Sequence, residues 1–133
     1  MRLPPAVTVH GLDHVRIALA AGLPVTLLSA PGAGRYAGAL WWQAVLEAGR
    51  REAGAGAGAD LLDCADAAAH ALDAMRIGLR GLVLYPTAPG WERVAAIAAR
   101  DGVTLLPERP PSLDLAKPGA VRTIGPWLAG SGG

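Results

Sequence analysis

Five short apolar segments, each separated from the next by a stretch of helical length, constrain this chain more than any other feature. They are residues 6–10 (AVTVH), 24–30 (PVTLLSA), 60–65 (DLLDCA), 81–86 (GLVLYP) and 103–108 (VTLLPE). Strands alternating with helices point to a mostly parallel sheet, because parallel neighbours need a crossover connection long enough to hold a helix. The segments are continuously apolar rather than alternating, as strands covered on both faces are. The expected fold is therefore a three-layer αβα sandwich with about five mostly parallel strands, flavodoxin-like or Rossmann-like.

The intervening stretches carry the matching period. Ala68, Ala71, Leu72, Met75 and Leu79 fall on one helical stripe, with Asp73, Arg76 and Arg80 away from it. Asp66 is the expected N-cap of that helix, and Gly78 or Gly81 its stop. A later helix places Trp91, Val94, Ala95 and Ala98 on one face and ends near Arg100-Asp101-Gly102. Helices one and two are expected over LDHVRIALAAG and YAGALWWQAVLEAG.

Two stretches break the rhythm. Residues 51–60 (REAGAGAGAD) alternate Ala and Gly, whose backbone entropy opposes a helix, so a flexible loop is expected. From residue 110 the chain is rich in Pro and Gly. The expected organisation is one α/β domain over 1–114 and an extended tail over 115–133, its last few residues frayed. ALAAGLPVTLL (18–28) and AIAARDGVTLL (96–106) repeat one helix–turn–strand solution; a duplicated half-barrel ancestry is the alternative.

Composition narrows the functional classes. The chain has 133 residues, 52% of them hydrophobic and 17% charged, enough to bury a core. Its 12 basic and 11 acidic residues are scattered, with a net charge of +1, so no basic stripe marks a nucleic-acid or anionic-membrane surface. Neither nucleic acid nor a membrane is expected as a partner. No apolar run approaches the roughly 20 residues of a membrane helix, and the N-terminus lacks the long apolar segment of a signal peptide. A single cysteine, Cys64, fits a reducing compartment. The expectation is a cytoplasmic, bacterial-type protein.

In open parallel sheets ligands bind beyond the carboxyl ends of the strands. That rule nominates His10, Gly11 and Asp13, then Ser29 to Gly38, then Asp63, Cys64 and Asp66, then Tyr85 to Thr87, and finally Glu108 and Arg109. Gly32, Gly34 and Ala37 match G-x-G-x-x-A between a strand and a helix. Glycines there would let a backbone approach a phosphate, and Arg35 would add charge. Ser29, Gly32, Gly34 and Arg35 are thus the ligand-binding candidates, for a small phosphorylated ligand. Against this, the loop follows the second strand, Pro31 lacks an N–H, and Asp63 lies about 30 rather than 20 residues on. A Walker loop is excluded because no Lys-Ser/Thr follows. A structural turn accounts for the same glycines.

His10, Asp63 and Cys64 are the catalytic candidates: a thiol near a helix start, with a histidine from the first strand as base. The opposing reading is a small buried cysteine whose flanking acids raise its pKa. HGLDH resembles an H-x-x-E-H metal motif, but Gly11 breaks the continuous helix that motif requires, so no metal and no cofactor is expected. Ser29 lacks the G-x-S-x-G context of a nucleophile elbow. His70 is expected on a helix surface.

Trp41 and Trp42 point about 100° apart on a helix. Leu40, Trp41, Ala44, Val45 and Ala48 define the expected buried side, leaving Trp42 and Leu46 at the flank. Trp42, Leu46 and Trp127 are the interface candidates, through a homodimer or a tail packed on the helix.

From VTVHGLDHVRIALAAGLPVTLLSAPG to GLRGLVLYPTAPGWERVAAIAA, the chain resembles the middle and end of a bacterial response-regulator receiver domain. LLSAPG is similar to the strand bearing the phosphorylated aspartate, and GLRGLVLYP to the strand ending in Lys-Pro. Ser29 stands near the acceptor position, Tyr85 replaces the lysine, and the acidic magnesium ligands have no counterpart. The resemblance implies a receiver-like scaffold without phosphotransfer.

No strand end gathers acid, base and nucleophile at a recognisable spacing. The expected function is therefore binding or self-association without catalysis. The alternative is a small-molecule or nucleotide-binding enzyme with its pocket at loop 29–38.

Overall fold

The apolar segments form strands shorter than their sequence limits. In the computed structural model, which describes residues 2–131, β1 is Ala6–Val9, β2 Thr26–Ser29, β3 Asp60–Asp63, β4 Gly81–Val83 and β5 Thr104–Leu106. A sixth strand, β6 (Ser112–Asp114), follows the Pro-rich stretch. The helices between them are α1 (Leu12–Ala20), α2 (Ala33–Tyr36), α3 (Ala39–Ala53), α4 (Ala68–Arg76) and α5 (Trp91–Asp101). The sheet runs β5-β4-β3-β2-β1-β6, with parallel registers such as Ala6 against Ser112, Leu62 against Leu82 and Leu82 against Leu105.

This is the expected three-layer α/β architecture of the flavodoxin-like and Rossmann-like kind, with six strands. β1, β2 and β4 are buried along their length, while β5 and β6, the two ends of the order, are half-buried or exposed. Receiver domains order their strands 2-1-3-4-5. Here β1 to β5 follow one another, so the resemblance covers the βα repeats and not the strand order. No described helix is long and apolar enough to cross a membrane.

The chain divides into two compact units. The first comprises residues 2–28, 44–59 and 110–131. Within it α1 packs so closely on the second half of α3 that a Cβ on Gly49 would run into Val15. This approach explains the glycine at this point of α3, which runs on to Ala53, beyond its expected stop. Arg16 joins the two helices, bonding Glu52 at 2.6 Å and Asp13 at 2.8 Å. Where an extended tail is expected, the chain forms short helical turns at Ala120–Thr123, Ile124–Pro126 (α6) and Trp127–Ser131. Their apolar residues cause this: Ala120 and Leu128 are buried, and the Trp127 indole N–H donates to the Ala6 carbonyl at 2.8 Å. The fraying expected at the last residues concerns Gly132 and Gly133, outside the described range.

The second unit comprises residues 29–43 and 60–109. Leu61, Leu62, Leu82 and Leu84, together with Ala71 and Ala74 of α4 and Val94 and Ala98 of α5, are among its buried residues around the strands. The Trp91 indole N–H donates to the Leu84 carbonyl at 3.1 Å, fixing the start of α5 on the end of β4. Asp66 does not cap α4. The N-cap is Ala67, without a side-chain bond, and Asp66 instead pairs with Arg35 at 3.1 Å.

The tryptophan pair inverts the expected helix face. Trp42 is 0% exposed and shares its stripe with buried Leu46 and Gly49, whereas Leu40 is 69% exposed. The expected flank position of Trp42 and Leu46 is therefore corrected: both are core residues. A break at Gly38 (φ 90°) separates α2 from α3. The Trp42 indole N–H is buried, with no hydrogen-bond partner among the described residues.

Candidate functional site

At the carboxyl ends of β2 and β3 the second unit gathers several of the nominated residues around one buried carboxylate. Asp63, fully buried at the end of β3, receives Arg109 Nη1 on Oδ2 at 2.7 Å and the Ala65 N–H on Oδ1 at 2.8 Å. Arg109 Nη1 also donates to the Ser29 carbonyl at 2.9 Å. The Ser29 hydroxyl accepts the Asp63 N–H at 2.9 Å and lies 3.1 Å from the Ala30 carbonyl, to which it donates. Each polar group of the cluster thus answers another, as buried polar groups must.

The backbone beside this cluster is strained. Ala65 has φ 53°, a left-handed conformation that costs an alanine roughly 1–2 kcal/mol. Its amide is held by Asp63 Oδ1 and its carbonyl by the Tyr85 N–H at 2.8 Å. Tyr85 stands close enough that burial first, and the Asp63 charge second, push its phenol pKa upward.

The glycine loop has two separate structural reasons. Gly32 (φ 72°) makes the left-handed turn that starts α2. Gly34 permits contact: a Cβ there would lie 2.9 Å from Cys64 Sγ and 3.1 Å from the Asp63 carbonyl oxygen. The second glycine therefore seats α2 on the end of β3. α2 itself has four residues, too few to build a helix-terminus anion site. What faces outward is an open depression of about 310 Å³ lined by Gly32, Arg35, Tyr36 and Ala65. A second depression, about 420 Å³, runs from Gly34 and Leu40 to His70, Asp73 and Arg76.

Cys64 is buried, and burial, followed by the neighbouring Asp63 charge, pushes its thiol up to about 12. It is a packing group at neutral pH, since the thiolate is the nucleophile. Ser29, Gly34, Asp63 and Cys64 come together, but they face inward; Gly32 and Arg35 line the surface.

His10, the third catalytic candidate, belongs to the first unit. Its Nε2 is 2.8 Å from Asp114 Oδ1, at the carboxyl ends of the paired strands β1 and β6. The His10 N–H donates to His14 Nδ1 at 3.0 Å, and the two rings meet edge to face at 5.4 Å. Burial first, then His10, lower the His14 pKa. Asp114 would be raised by its burial, but the Ala116 N–H, the His10 bond and Lys117 outweigh this and hold it below the usual range. Among the described residues, no group of three or more His, Cys, Asp or Glu is placed to hold a metal ion.

Asp114 was missed by the sequence reading, which took the chain beyond residue 108 as outside the sheet. The available signal was the apolar alternation of SLDLA after two prolines. No protein-family description matches the chain, and no curated protein matches it significantly.

Proposed function

We propose that the protein acts by binding, and that loop 29–38 at the strand ends of the second unit forms its recognition surface. The observation that carries this reading is the mutual engagement of Ser29, Asp63 and Arg109, which leaves Arg35 and Tyr36 as the outward-facing groups beside strained Ala65. Strained backbone beside a surface depression is a feature of ligand sites. A small phosphorylated ligand suits the chemistry: Arg35 gives a fork of donors, and Tyr36, 71% exposed, gives a ring face. Arg35 already holds Asp66 at 3.1 Å in an exposed pair worth little, so a phosphate can replace it. NMR titration with nucleotides and sugar phosphates tests this. The amide signals of Gly32, Gly34, Arg35 and Tyr36 are expected to move, with affinity falling about tenfold in Arg35→Gln, the loss of one charge-assisted contact. No movement with any of these ligands rejects the reading.

Self-association is a second reading, favoured by the exposure of Tyr36 and Leu40 at 71% and 69%. It moves the proposed homodimer surface away from Trp42 and onto the start of α3. Sedimentation equilibrium of the wild type and of Leu40→Glu separates the cases: a dimer mass lost in the variant supports it, and a monomer mass in both ends it.

A further inference from the structure

The first unit contains a second cleft that the reading above does not use. Beside β6 an open depression of about 590 Å³ is lined by residues that include Ser112, Asp114, Lys117, Arg122 and Thr123. It adjoins the place where the strand order reverses: β1 to β5 step one way, and β6 returns to the other side of β1. Reversals of this kind are where open α/β sheets receive ligands.

The lining is unequal in what it has left to offer. The Ser112 hydroxyl is bonded to Thr8 at 2.7 Å, and the Thr123 hydroxyl donates to the Ala120 carbonyl at 2.9 Å. Asp114 takes His10 Nε2 at 2.8 Å and the Ala116 N–H at 2.9 Å on the same oxygen, Oδ1. Lys117 and Arg122 have neither an ion pair nor a side-chain hydrogen bond among the described residues. Two uncommitted cations therefore share one cleft with a carboxylate already engaged by a histidine.

We propose that this cleft binds a small tetrahedral dianion, free or carried as a phosphate monoester, with Lys117 and Arg122 receiving the charge. The carboxylate oxygen that would repel an incoming anion, Asp114 Oδ1, is already engaged by His10 Nε2 and the Ala116 N–H.

Sulfate is the probe for calorimetry, used in the Arg35→Gln background so that loop 29–38 contributes no second anion site. That variant is expected to bind sulfate, and adding Lys117→Gln and Arg122→Gln is expected to weaken binding at least tenfold; both residues are exposed, and circular dichroism confirms the fold. Glycerol phosphate binding more tightly than sulfate marks a carried phosphate, and equal or weaker affinity a free anion. Absent binding in the Arg35→Gln background overturns the proposal, as does binding that survives the added Lys117 and Arg122 substitutions.

Discussion

Arg109 Nη1 stands 2.7 Å from Asp63 Oδ2 and 2.9 Å from the Ser29 carbonyl, so one guanidinium ties the ends of β2 and β3 to the chain beyond β5. Asp63 is fully buried and the Arg109 side chain only 20% exposed, so the pair is sheltered from solvent screening. Arg109→Gln leaves that carboxylate without its cation. The expected cost is about 3 kcal/mol, the low end for breaking a buried pair from one side. Urea denaturation measures it. Adding Asp63→Asn should restore part of the loss, because the stranded charge is then gone; a double variant less stable than the sum of the singles contradicts the pairing.

Gly34 and Gly32 separate two reasons for a glycine. Gly34→Ala places a methyl 2.9 Å from Cys64 Sγ and 3.1 Å from backbone, and should destabilise by about 1–3 kcal/mol through overpacking. Cys64→Ala in the same chain relieves the sulfur contact but not the backbone one, so rescue should be partial. Gly32→Ala meets only the Tyr36 ring at 4.0 Å, and should lose about 1 kcal/mol from its left-handed backbone alone. Equal losses in thermal unfolding, indifferent to Cys64, would show that the close approach is not what Gly34 serves.

Ala65→Gly should leave stability unchanged or raise it by up to about 1 kcal/mol, since glycine adopts φ 53° without the penalty an alanine carries. A loss above about 1 kcal/mol on denaturant unfolding would mean that the methyl makes contacts outweighing the strain.

The layered architecture was legible because β-type apolar runs and helix-length intervals are local signals. Val7, Leu27, Leu62 and Leu82 are buried where the pattern placed them. The phase of α3 was not legible. Adjacent Trp41 and Trp42 each define an apolar stripe, and the small residues Ala44 and Ala48 mark neither face. The candidate sites divide the same way: Ser29, Asp63 and Arg109 were nominated as strand-end residues, yet their mutual bonds join positions 80 and 46 residues apart. The partnership of His10 with Asp114 spans 104 residues and needed β6 beside β1, which no local period encodes.

Trp42 tests the corrected face of α3. As a fully buried side chain it should cost about 3–5 kcal/mol on Trp42→Ala. Trp42→Phe should be far milder, because it fills most of the volume and removes an indole N–H that has no partner among the described residues. Trp42→Glu is expected to unfold the protein rather than only change its mass. A folded Trp42→Glu variant in circular dichroism would return Trp42 to the surface.

His14 gives the fold a pH dependence whose sign follows from its surroundings. Burial first and neighbouring His10 second lower its pKa, against the opposing pull of Asp114 and Asp13. The unfolded chain, with an ordinary histidine value of about 6.5, therefore holds more protons than the folded chain just below that pH. The stability tied to neutral His14 is complete above about pH 6.5 and is lost as pH falls through its lowered folded value. Melting temperature should accordingly decline between pH 7.5 and pH 5. His14→Gln, which keeps an acceptor for the His10 N–H, should decline less over that interval. Asp114, held below the usual carboxylate range, surrenders its contribution only below about pH 4, so the two windows do not overlap. Parallel melting curves for wild type and His14→Gln across pH 7.5 to 5 would remove His14 as the source.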